Sequence, residues 1–521
     1  MPGMALPVIL KTGLSHLVHL FNFNLLAMKK YIIIFIAALA GFTSCKKLDV
    51  TPPDKLSNLT FWKTPADADL ALTGVYGTLY ARSGQISTYA PMWYENFGDN
   101  TYTQNNQAGA QQALVAGLNP SSGGFVADGS NSLYINAYKS IAACNTFLAN
   151  VDKVLTGDKL TQYKGEVYFI RAFNYFLLAE TYGNVPLLTA DPITSDFKQK
   201  VSKSSRADVL KLIESDLNNA ISGLPNQKFN TGHAVKGSAQ GLMARVLLFE
   251  KKYPDAAAMA RSIIDGGLFS LNSNYPSNFY KPDQQTSPEI MFSVQYSAPT
   301  IPHPDALTMI LILPGYVDLQ GTQDMINEYE ANDPREKMTF FFPGDTPAQG
   351  WPYPGTVGKP GVNNWTAGFY PSKKWLDPKI VNPQPGLLDD QDYVWIRFAD
   401  VKLMYAEAQN EAAGPDASVY KQINEVRARP GVNMPALAAG LSQADMRAKI
   451  RHERRVELAL EGFRYFDMRR WGIAKDKLNG FIQNPLIPAT KTIYKDNFDF
   501  WPLPQSEVDR NAPALIQNDG Y

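Results

Sequence analysis

Three glutamates recur at every fourth residue near the carboxyl end of the sequence, at Glu453, Glu457 and Glu461. In a helix this spacing places the three carboxylates on one face. Carboxylates arranged in this way can do acid–base chemistry, as in glycoside hydrolysis, or bind a metal ion. Six arginines lie in the same stretch, 451–470, and planar guanidinium groups pair well with carboxylates. We therefore favour a structural ion-pair network, formed by Glu453, Arg454, Glu457, Glu461, Arg464 and Asp467.

Histidines, cysteines and glycines form no catalytic motif. His452-Glu453 lacks the second histidine of the zinc-protease pattern, because Val456 stands in its place. Residues 232–238 approach a phosphate-binding loop but have no lysine after the second glycine. Cys144 falls on the apolar face of a predicted helix, which favours a buried, inert thiol. These residues therefore indicate no cofactor.

The charge of the chain is balanced, with 49 Lys plus Arg against 49 Asp plus Glu. Nucleic-acid binding usually requires a basic patch or stripe, so the composition gives no case for it. Hydrophobic residues make up 45% of the 521 residues, which is ample for a large core. The 37 glycines and 36 prolines indicate many turns and irregular loops.

The amino terminus has the features of an export signal. Lys29 and Lys30 precede the uncharged, apolar run 31–41, and small residues lead to Cys45. A basic start, a short apolar stretch and small residues at the cleavage site are typical of a signal peptide. The run is shorter than the about 20 residues that span a bilayer.

The end of this signal resembles the lipobox of bacterial lipoproteins, with Cys45 as the lipidated residue and Phe42 where leucine is more common. We expect Met28 to be the natural start. Residues 1–44 would then be an upstream extension and signal peptide, and residues 45–66 a lipidated tether. The lipid would be the membrane anchor of the mature protein.

Helical patterns dominate the mature chain. Two pairs of helices are predicted around short turns, the first at 234–251 with 255–264 and the second at 401–412 with 417–429. Such pairs resemble tetratricopeptide repeats, and ordinary helical hairpins are the alternative. Residues 289–296 alternate like a strand.

Two irregular regions carry most of the candidate ligand-binding residues. The first is the Trp93–Asn100 loop, and the second is an aromatic excursion from about Tyr296 to Trp375, rich in proline and glycine. Aromatic faces suit the apolar patches of sugar rings, while hydroxyls need amide or carboxylate partners. Long loops of this kind are often functional. The predicted ligand-binding residues are Trp93, Tyr94, Asn96, Asp99, Asn100, Tyr296, Trp351 and Trp365.

Segment 451–472, which holds the glutamates and arginines above, resembles the C-terminal signature of the SusD/RagB family. Other segments are similar to family motifs in the same order along the chain: Leu70 to Tyr76, Tyr168 to Pro186, Asp333-Pro-Arg335, Arg397 to Ala408 and Ile423 to Arg429. Several ordered motifs are more specific than any single one. The resemblance spans the chain from Cys45 onward.

The resemblance implies a mainly α fold, a SusD-like α-α superhelix of tetratricopeptide-like pairs with long irregular loops and a few short strands. It divides the chain into an N-terminal helical half, 67–270, and a C-terminal half, 271–521, that contains the loop-rich ligand region. It implies a protein without catalysis that faces the outside of the cell at the outer membrane. There it would bind a glycan or another small nutrient and serve a SusC-like TonB-dependent transporter. Some family members bind calcium, and no loop here can be assigned to it.

Two other functions stay open from the residues alone. A glycoside hydrolase would use the same aromatic groove with a pair of acids, and its turnover would depend on a single carboxylate. A helical-repeat scaffold for protein assembly would bind no small ligand at all.

Overall fold

The computed structural model of the chain describes residues 61–83, 86–103, 118, 130–192, 199–302, 307, 311, 319–342, 345, 370–378, 388–483 and 490–521. The signal segment, Cys45 and the tether up to residue 60 lie outside these ranges, and so do Trp351 and Trp365. The predictions for them, and for a boundary at residue 270, stay predictions.

Helices dominate the described residues. Before residue 270 they are α1 (Pro65–Gly77), α2 (Ser130–Asn150), α3 (Gly157–Tyr182), α4 (Arg206–Gly223), α5 (Lys236–Phe249) and α6 (Tyr253–Gly266). After it they are α7 (Gln323–Glu328), α8 (Arg335–Thr339), α9 (Phe398–Ala413), α10 (Ala417–Arg427), α11 (Gln443–Glu457), α12 (Arg464–Arg470), α13 (Ala474–Leu478) and α14 (Gln505–Asn511). Among these residues no helix combines the length and the apolarity needed to span a bilayer.

Local sequence sets the ends of these helices. At the start of α1, the Asp67 carboxylate accepts a hydrogen bond from the Thr64 backbone N–H at 2.7 Å, and Pro65 occupies the first turn. At the start of α4, the Ser205 hydroxyl accepts from the Asp208 backbone N–H at 3.1 Å. α3 ends at Tyr182, and the next residue, Gly183, has a φ of 74°, which favours a residue without a side chain.

Helix pairs form the scaffold, as predicted. α5 packs against α6, and α9 packs against α6, α10 and α11. The close approach of α5 and α6 is allowed by small buried residues on α6: Ala256, Ala257 and Ala260. The mainly α fold with tetratricopeptide-like pairs, irregular loops and short strands is thereby confirmed.

Short strands join distant parts of the chain. β1 (Arg82–Ser83) pairs with β2 (Ile86–Ser87), and β5 (Gln320–Gly321) lies between β3 (Thr101–Tyr102) and β6 (Tyr370–Pro371). The longest pair is antiparallel, β4 (Ile290–Val294) with β7 (Tyr393–Arg397), and every residue of both strands is buried.

The β4–β7 pair packs against α3 through aromatic side chains. Phe292 of β4 contacts Phe169 and Phe173 of α3 edge to face, with ring centroids 4.7 and 5.5 Å apart. Trp395 of β7 contacts Phe173 at 5.1 Å, and its indole N–H donates to the Tyr89 carbonyl at 2.9 Å. This packing holds the segment after α1 against the core and so positions one wall of the cavity described below.

Candidate functional site

The signature glutamates lie at the centre of a buried ion-pair network. Both Glu457 oxygens accept charged hydrogen bonds: Oε2 from Arg335 at 3.0 Å, and Oε1 from Arg397 at 2.8 Å and Arg429 at 2.7 Å. Burial alone would raise the pKa of Glu457, but the three arginines outweigh it and lower the pKa to about 2. A carboxylate that is so acidic and fully buried has no route to a substrate.

The other predicted network residues are also paired and buried. Glu453 accepts from Arg335 and Arg427, and Glu461 accepts from Arg397 and Lys374. Further pairs join Arg454 with Asp400 and Asp467, and Arg464 with Asp99. α11 ends at Glu457, so Glu461 reaches the network from the turn beyond the helix and not from the same helical face.

Three of the family-like motifs meet the signature segment in this network. Arg335 comes from the Asp333-Pro-Arg335 segment, Arg397 from the end of β7, and Arg429 from the residues after α10. Glu289 receives both Arg397 and Arg429, and sequence reasoning missed it. Its only signal was its position just before a buried strand. The motifs therefore serve a shared structural centre.

The Trp93–Asn100 loop is buried, which corrects the expectation of an exposed ligand surface there. A 3₁₀ helix, Pro91–Phe97, presses its aromatic rings into the C-terminal segment, where Phe97 contacts Trp501 with centroids 4.6 Å apart. Asp99 is paired with Arg464 at 2.6 Å instead of facing solvent. The five predicted residues are at most 3% exposed: Trp93, Tyr94, Asn96, Asp99 and Asn100.

Tyr296 is also buried, at 2% exposed, so it cannot stack on a ligand in this conformation. Its ring lies edge to face between Tyr80 and Tyr393, with centroids 5.4 Å from each. A loop aromatic was expected to face solvent, but the neighbouring rings cover it. Trp351 and Trp365, predicted for the same ligand surface, lie outside the described residues.

A cavity of about 160 Å³ opens beside these buried rings, and we call it the His233 pocket. Its apolar walls come from the end of α1 and the residues after it, and its polar walls come from the turn before α5 and the end of β4. The lining residues are Thr73, Tyr76, Leu79, Tyr80, Thr231, Gly232, His233, Ser293, Val294 and Gln295.

Gly232 allows two walls of the pocket to approach each other. Its φ is +79°, and a Cβ atom there would come 2.5 Å from Oε1 of Gln295. Any other residue would strain the turn and push Gln295 away. The glycine therefore allows the His233 imidazole and the Gln295 amide to line the same pocket.

A fully buried carboxylate lies behind the pocket. Glu166 of α3 accepts hydrogen bonds from the Tyr76 hydroxyl at 2.7 Å and the Gln162 amide at 3.0 Å. The His233 Nδ1 lies 2.6 Å from the same carboxylate. The hydrogen bond to Glu166 raises the pKa of His233 from its ordinary 6.5, despite partial burial. The pocket thus contains an imidazole biased towards its charged form.

Tyr80 supplies a half-buried aromatic ring at the other side of the pocket. Burial, and then the nearby Asp392 carboxylate, raise the pKa of its phenol, so it stays neutral. Burial also raises the pKa of Asp392 to about 6, while an ion pair with Lys281 at 2.8 Å opposes that shift. The lining therefore combines neutral aromatic surface with hydroxyl, amide and imidazole groups.

Sequence reasoning did not find the His233 pocket. Tyr80 belonged to no motif, and His233 stood in the segment 232–238, which was rejected as a phosphate-binding loop. Neither residue type is unusual there, and no spacing links α1 to residues 231–233. Only the packing of α1 and β4 on α3 brings them together.

A second cavity, of about 310 Å³, lies between α2, α14 and the residues Pro186, Leu188 and Val201. Apolar side chains such as Ile135, Leu188 and Val201 form much of its wall, and two of its charged side chains, Glu507 and Arg510, are paired with each other at 2.6 Å. Saccharide hydroxyls need more hydrogen-bonding partners than such a wall provides. We therefore take the His233 pocket as the candidate site, although it is smaller.

Within the described ranges, no group of three or more His, Cys, Asp or Glu residues is arranged to hold an ion. Calcium binding stays unassigned.

Comparison with known proteins identifies the family of this chain. The SusD family model matches residues 317–521. A second, SusD-like model, described as starch-binding associating with outer membrane, matches residues 47–248. The chain belongs to the SusD family. The resemblance first found in segment 451–472 is thereby confirmed.

Individual relatives in the SusD family cover nearly the whole chain. SusD-like protein P38 of Formosa agariphila is 26% identical over 530 residues, which cover 94% of this chain and 98% of that protein. A crystal structure of a SusD-like protein from Bacteroides fragilis has a TM-score of 0.75 at 23% identity, covering 89% of this chain and 99% of its own.

The surface glycan-binding protein A of Bacteroides thetaiotaomicron, in complex with laminarihexaose, has a TM-score of 0.71 at 18% identity and covers 87% of this chain and 99% of its own. Such likenesses establish the SusD-like helical fold.

Proposed function

We propose that this protein binds a glycan at the cell surface and delivers it to a SusC-like TonB-dependent transporter. Family membership supports the role, and a relative with the same fold forms a complex with laminarihexaose. The observation that carries the proposal is the His233 pocket, because its mixture of aromatic, amide, hydroxyl and imidazole groups suits a saccharide.

The pocket is small, which suits a protein that releases its glycan to a transporter. Small-molecule sites usually enclose about 300–1,000 Å³, whereas this one has about 160 Å³. One end of a glycan would enter while the rest stays outside. A shallow grip on one end gives weak binding and fast release, which delivery to a transporter requires.

We propose that the rest of the glycan contacts the aromatic excursion that contains Trp351 and Trp365. The sequence predicts this excursion to be a binding region, and Gln295 at the edge of the pocket directly precedes its start at Tyr296. The proposed site therefore keeps the predicted aromatic excursion. The residues of the His233 pocket take the place of the buried Trp93–Asn100 loop.

We propose binding without catalysis. The acids that could have served a hydrolase, Glu453, Glu457 and Glu461, are each paired with arginine or lysine and at most 1% exposed. Glycoside hydrolysis needs two carboxyl groups that reach the scissile bond.

We propose that the protein is held at the outer membrane by the lipid on Cys45 and that it faces outside. This anchor would leave the folded part free to approach the transporter.

An array of oligosaccharides, probed with the full-length protein in a non-glycosidic detergent, tests the proposal. We expect binding of one glycan class and no released products on prolonged incubation. Tyr80→Ala should weaken this binding, because it removes the ring at the pocket wall. Tyr420→Ala is the matched control, because Tyr420 is also partly buried but lies on α10, outside the lining of the pocket. Absence of glycan binding, or turnover abolished by one carboxylate change, would refute the proposal.

A further inference from the structure

The hydrogen bonds around Glu166 fix the proton positions behind the His233 pocket. The Tyr76 oxygen accepts from the Ala234 backbone N–H at 2.8 Å, so its own proton points to Glu166. The Gln162 amide donates to the other carboxylate oxygen at 3.0 Å. An ionised carboxylate only accepts, so Nδ1 of His233 must carry a proton at its 2.6 Å contact.

The opposite ring nitrogen is the one available to a ligand. The His233 side chain is 49% exposed, whereas Glu166 is completely buried. Nε2 lies across the ring from the buried carboxylate, on a side chain that lines the pocket. The edge-to-face contact with Tyr76, with ring centroids 5.0 Å apart, restrains the imidazole from the side. The ring is therefore held in one orientation with one tautomer favoured.

We propose that His233 is the residue that determines specificity in this pocket: its Nε2–H donates to an oxygen of an uncharged saccharide, and Glu166 and Tyr76 act as positioning residues. This inference rests on the proposed glycan-binding function. Nε2 of His233 would be the atom that selects the ligand, and the ligand would be uncharged.

The charges around the ring favour a neutral ligand. Glu166 is the carboxylate that contacts His233, and Tyr76 is the titratable group against its ring. A protonated imidazole and Glu166 sum to zero, and a neutral imidazole leaves a net negative charge. Lys281 and Asp392, near Tyr80, form a balanced pair above the Asp392 pKa of about 6. An acidic sugar would thus gain no net attraction in either state.

Loss of a proton from the His233 imidazole changes the hydrogen-bonding group that the ligand contacts. Because Nδ1 keeps its proton for Glu166, deprotonation takes the proton from Nε2 and converts a charged donor into a neutral acceptor. Hydrogen bonds to charged groups are about twice as strong as neutral ones. The affinity should therefore be highest at low pH and fall as pH rises through the His233 pKa, which Glu166 raises above 6.5.

Titration calorimetry of the full-length protein between pH 5.5 and 9 tests this inference, with neutral oligosaccharides, including laminarihexaose, and oligogalacturonides as probes. We expect neutral probes to bind, with an affinity that falls about tenfold across the range. His233→Ala should lose about tenfold at low pH. His233→Gln should keep most of that affinity without its pH dependence, because an amide N–H can replace Nε2–H. His452→Gln, on α11 and paired with Glu328, is the control and should behave like the wild type.

A measurement without ligand separates this inference from the function on which it rests. Nitrogen NMR of the His233 ring should show the Nδ1–H tautomer and a titration midpoint above 6.5, which Glu166→Gln lowers. Tyr76→Phe, a milder change, should loosen the ring and weaken binding. Glycan binding that is flat with pH and unchanged in His233→Ala would overturn this inference alone, as would a preference for oligogalacturonides. Absence of binding to any glycan would overturn the proposed function and this inference together.

Discussion

Replacement of Glu457 is the sharpest test of the structural role assigned to the ion-pair network. Glu457→Ala removes the only carboxylate that Arg335, Arg397 and Arg429 share, among the contacts described. It leaves three guanidinium groups buried with less compensation. Breaking a buried pair by removing one partner typically costs about 3–5 kcal/mol.

The pKa of Glu457 gives a second measure of how much its ion pairs contribute to the free energy of unfolding. Its value of about 2 lies below the ordinary 4.5, and each unit of difference corresponds to about 1.4 kcal/mol. The lowered pKa therefore represents about 3 kcal/mol of the free energy of unfolding, in line with the cost of a broken pair. A folded pKa below the unfolded one stabilises the protein above pH 4.5. That contribution is lost as the pH falls from about 4.5 towards 2.

Denaturant unfolding at pH 7 measures this loss. Glu457→Ala should lower the free energy of unfolding by about 3 kcal/mol or more. Asp496→Ala is the control, because Asp496 is also ion-paired, with Lys475 at 2.7 Å, but the two side chains are 85% and 55% exposed, so we expect a loss below about 1 kcal/mol. A Glu457→Ala protein with wild-type stability but no ligand binding would show that the network is a binding site and refute this reasoning.

Three further predictions concern the anchor and the proposed ligand region. Cys45→Ala should release the protein from membranes, because acyl chains supply the anchor, and unchanged membrane fractionation would contradict this. Trp351→Ala and Trp365→Ala should each be folded, and at least one should bind glycan more weakly; wild-type affinity in both would exclude the aromatic excursion. Gly232→Ala should weaken binding by displacing Gln295, which lies 2.5 Å from the added Cβ, while circular dichroism stays that of the wild type.

The fold was largely predictable because helix periodicity and capping are local properties. Thr64-Pro65 and Ser205 mark the starts of α1 and α4 in the sequence, and both helices begin there. The structural role of the signature segment also followed from local composition, since arginine and glutamate alternate within a few residues. Its partners did not, because Arg335 and Arg397 approach Glu457 only through tertiary packing.

The ligand site was less predictable, because exposure is a tertiary property. Trp93 lies in a loop rich in polar residues, yet it is 1% exposed because the C-terminal segment covers that loop. Tyr80 and His233 lie 153 positions apart and carry no motif. An aromatic residue in a loop therefore predicts a contact, but the sequence does not say whether the partner is a ligand or the protein itself.

The ion-pair network and the His233 pocket differ in how well they tolerate substitution. A buried network with fixed geometry, centred on Glu457, ties together segments that are far apart in the sequence, and it tolerates little change because each charge is compensated by another. The His233 pocket is lined by exposed side chains of the turn at 231–233 and by Gln295, which follows β4 and is partly exposed. Substitution there changes hydrogen bonds to a ligand without leaving a buried charge unpaired, provided that Glu166 keeps its donors. We therefore expect variation in ligand choice to be accommodated at the pocket and not in the network.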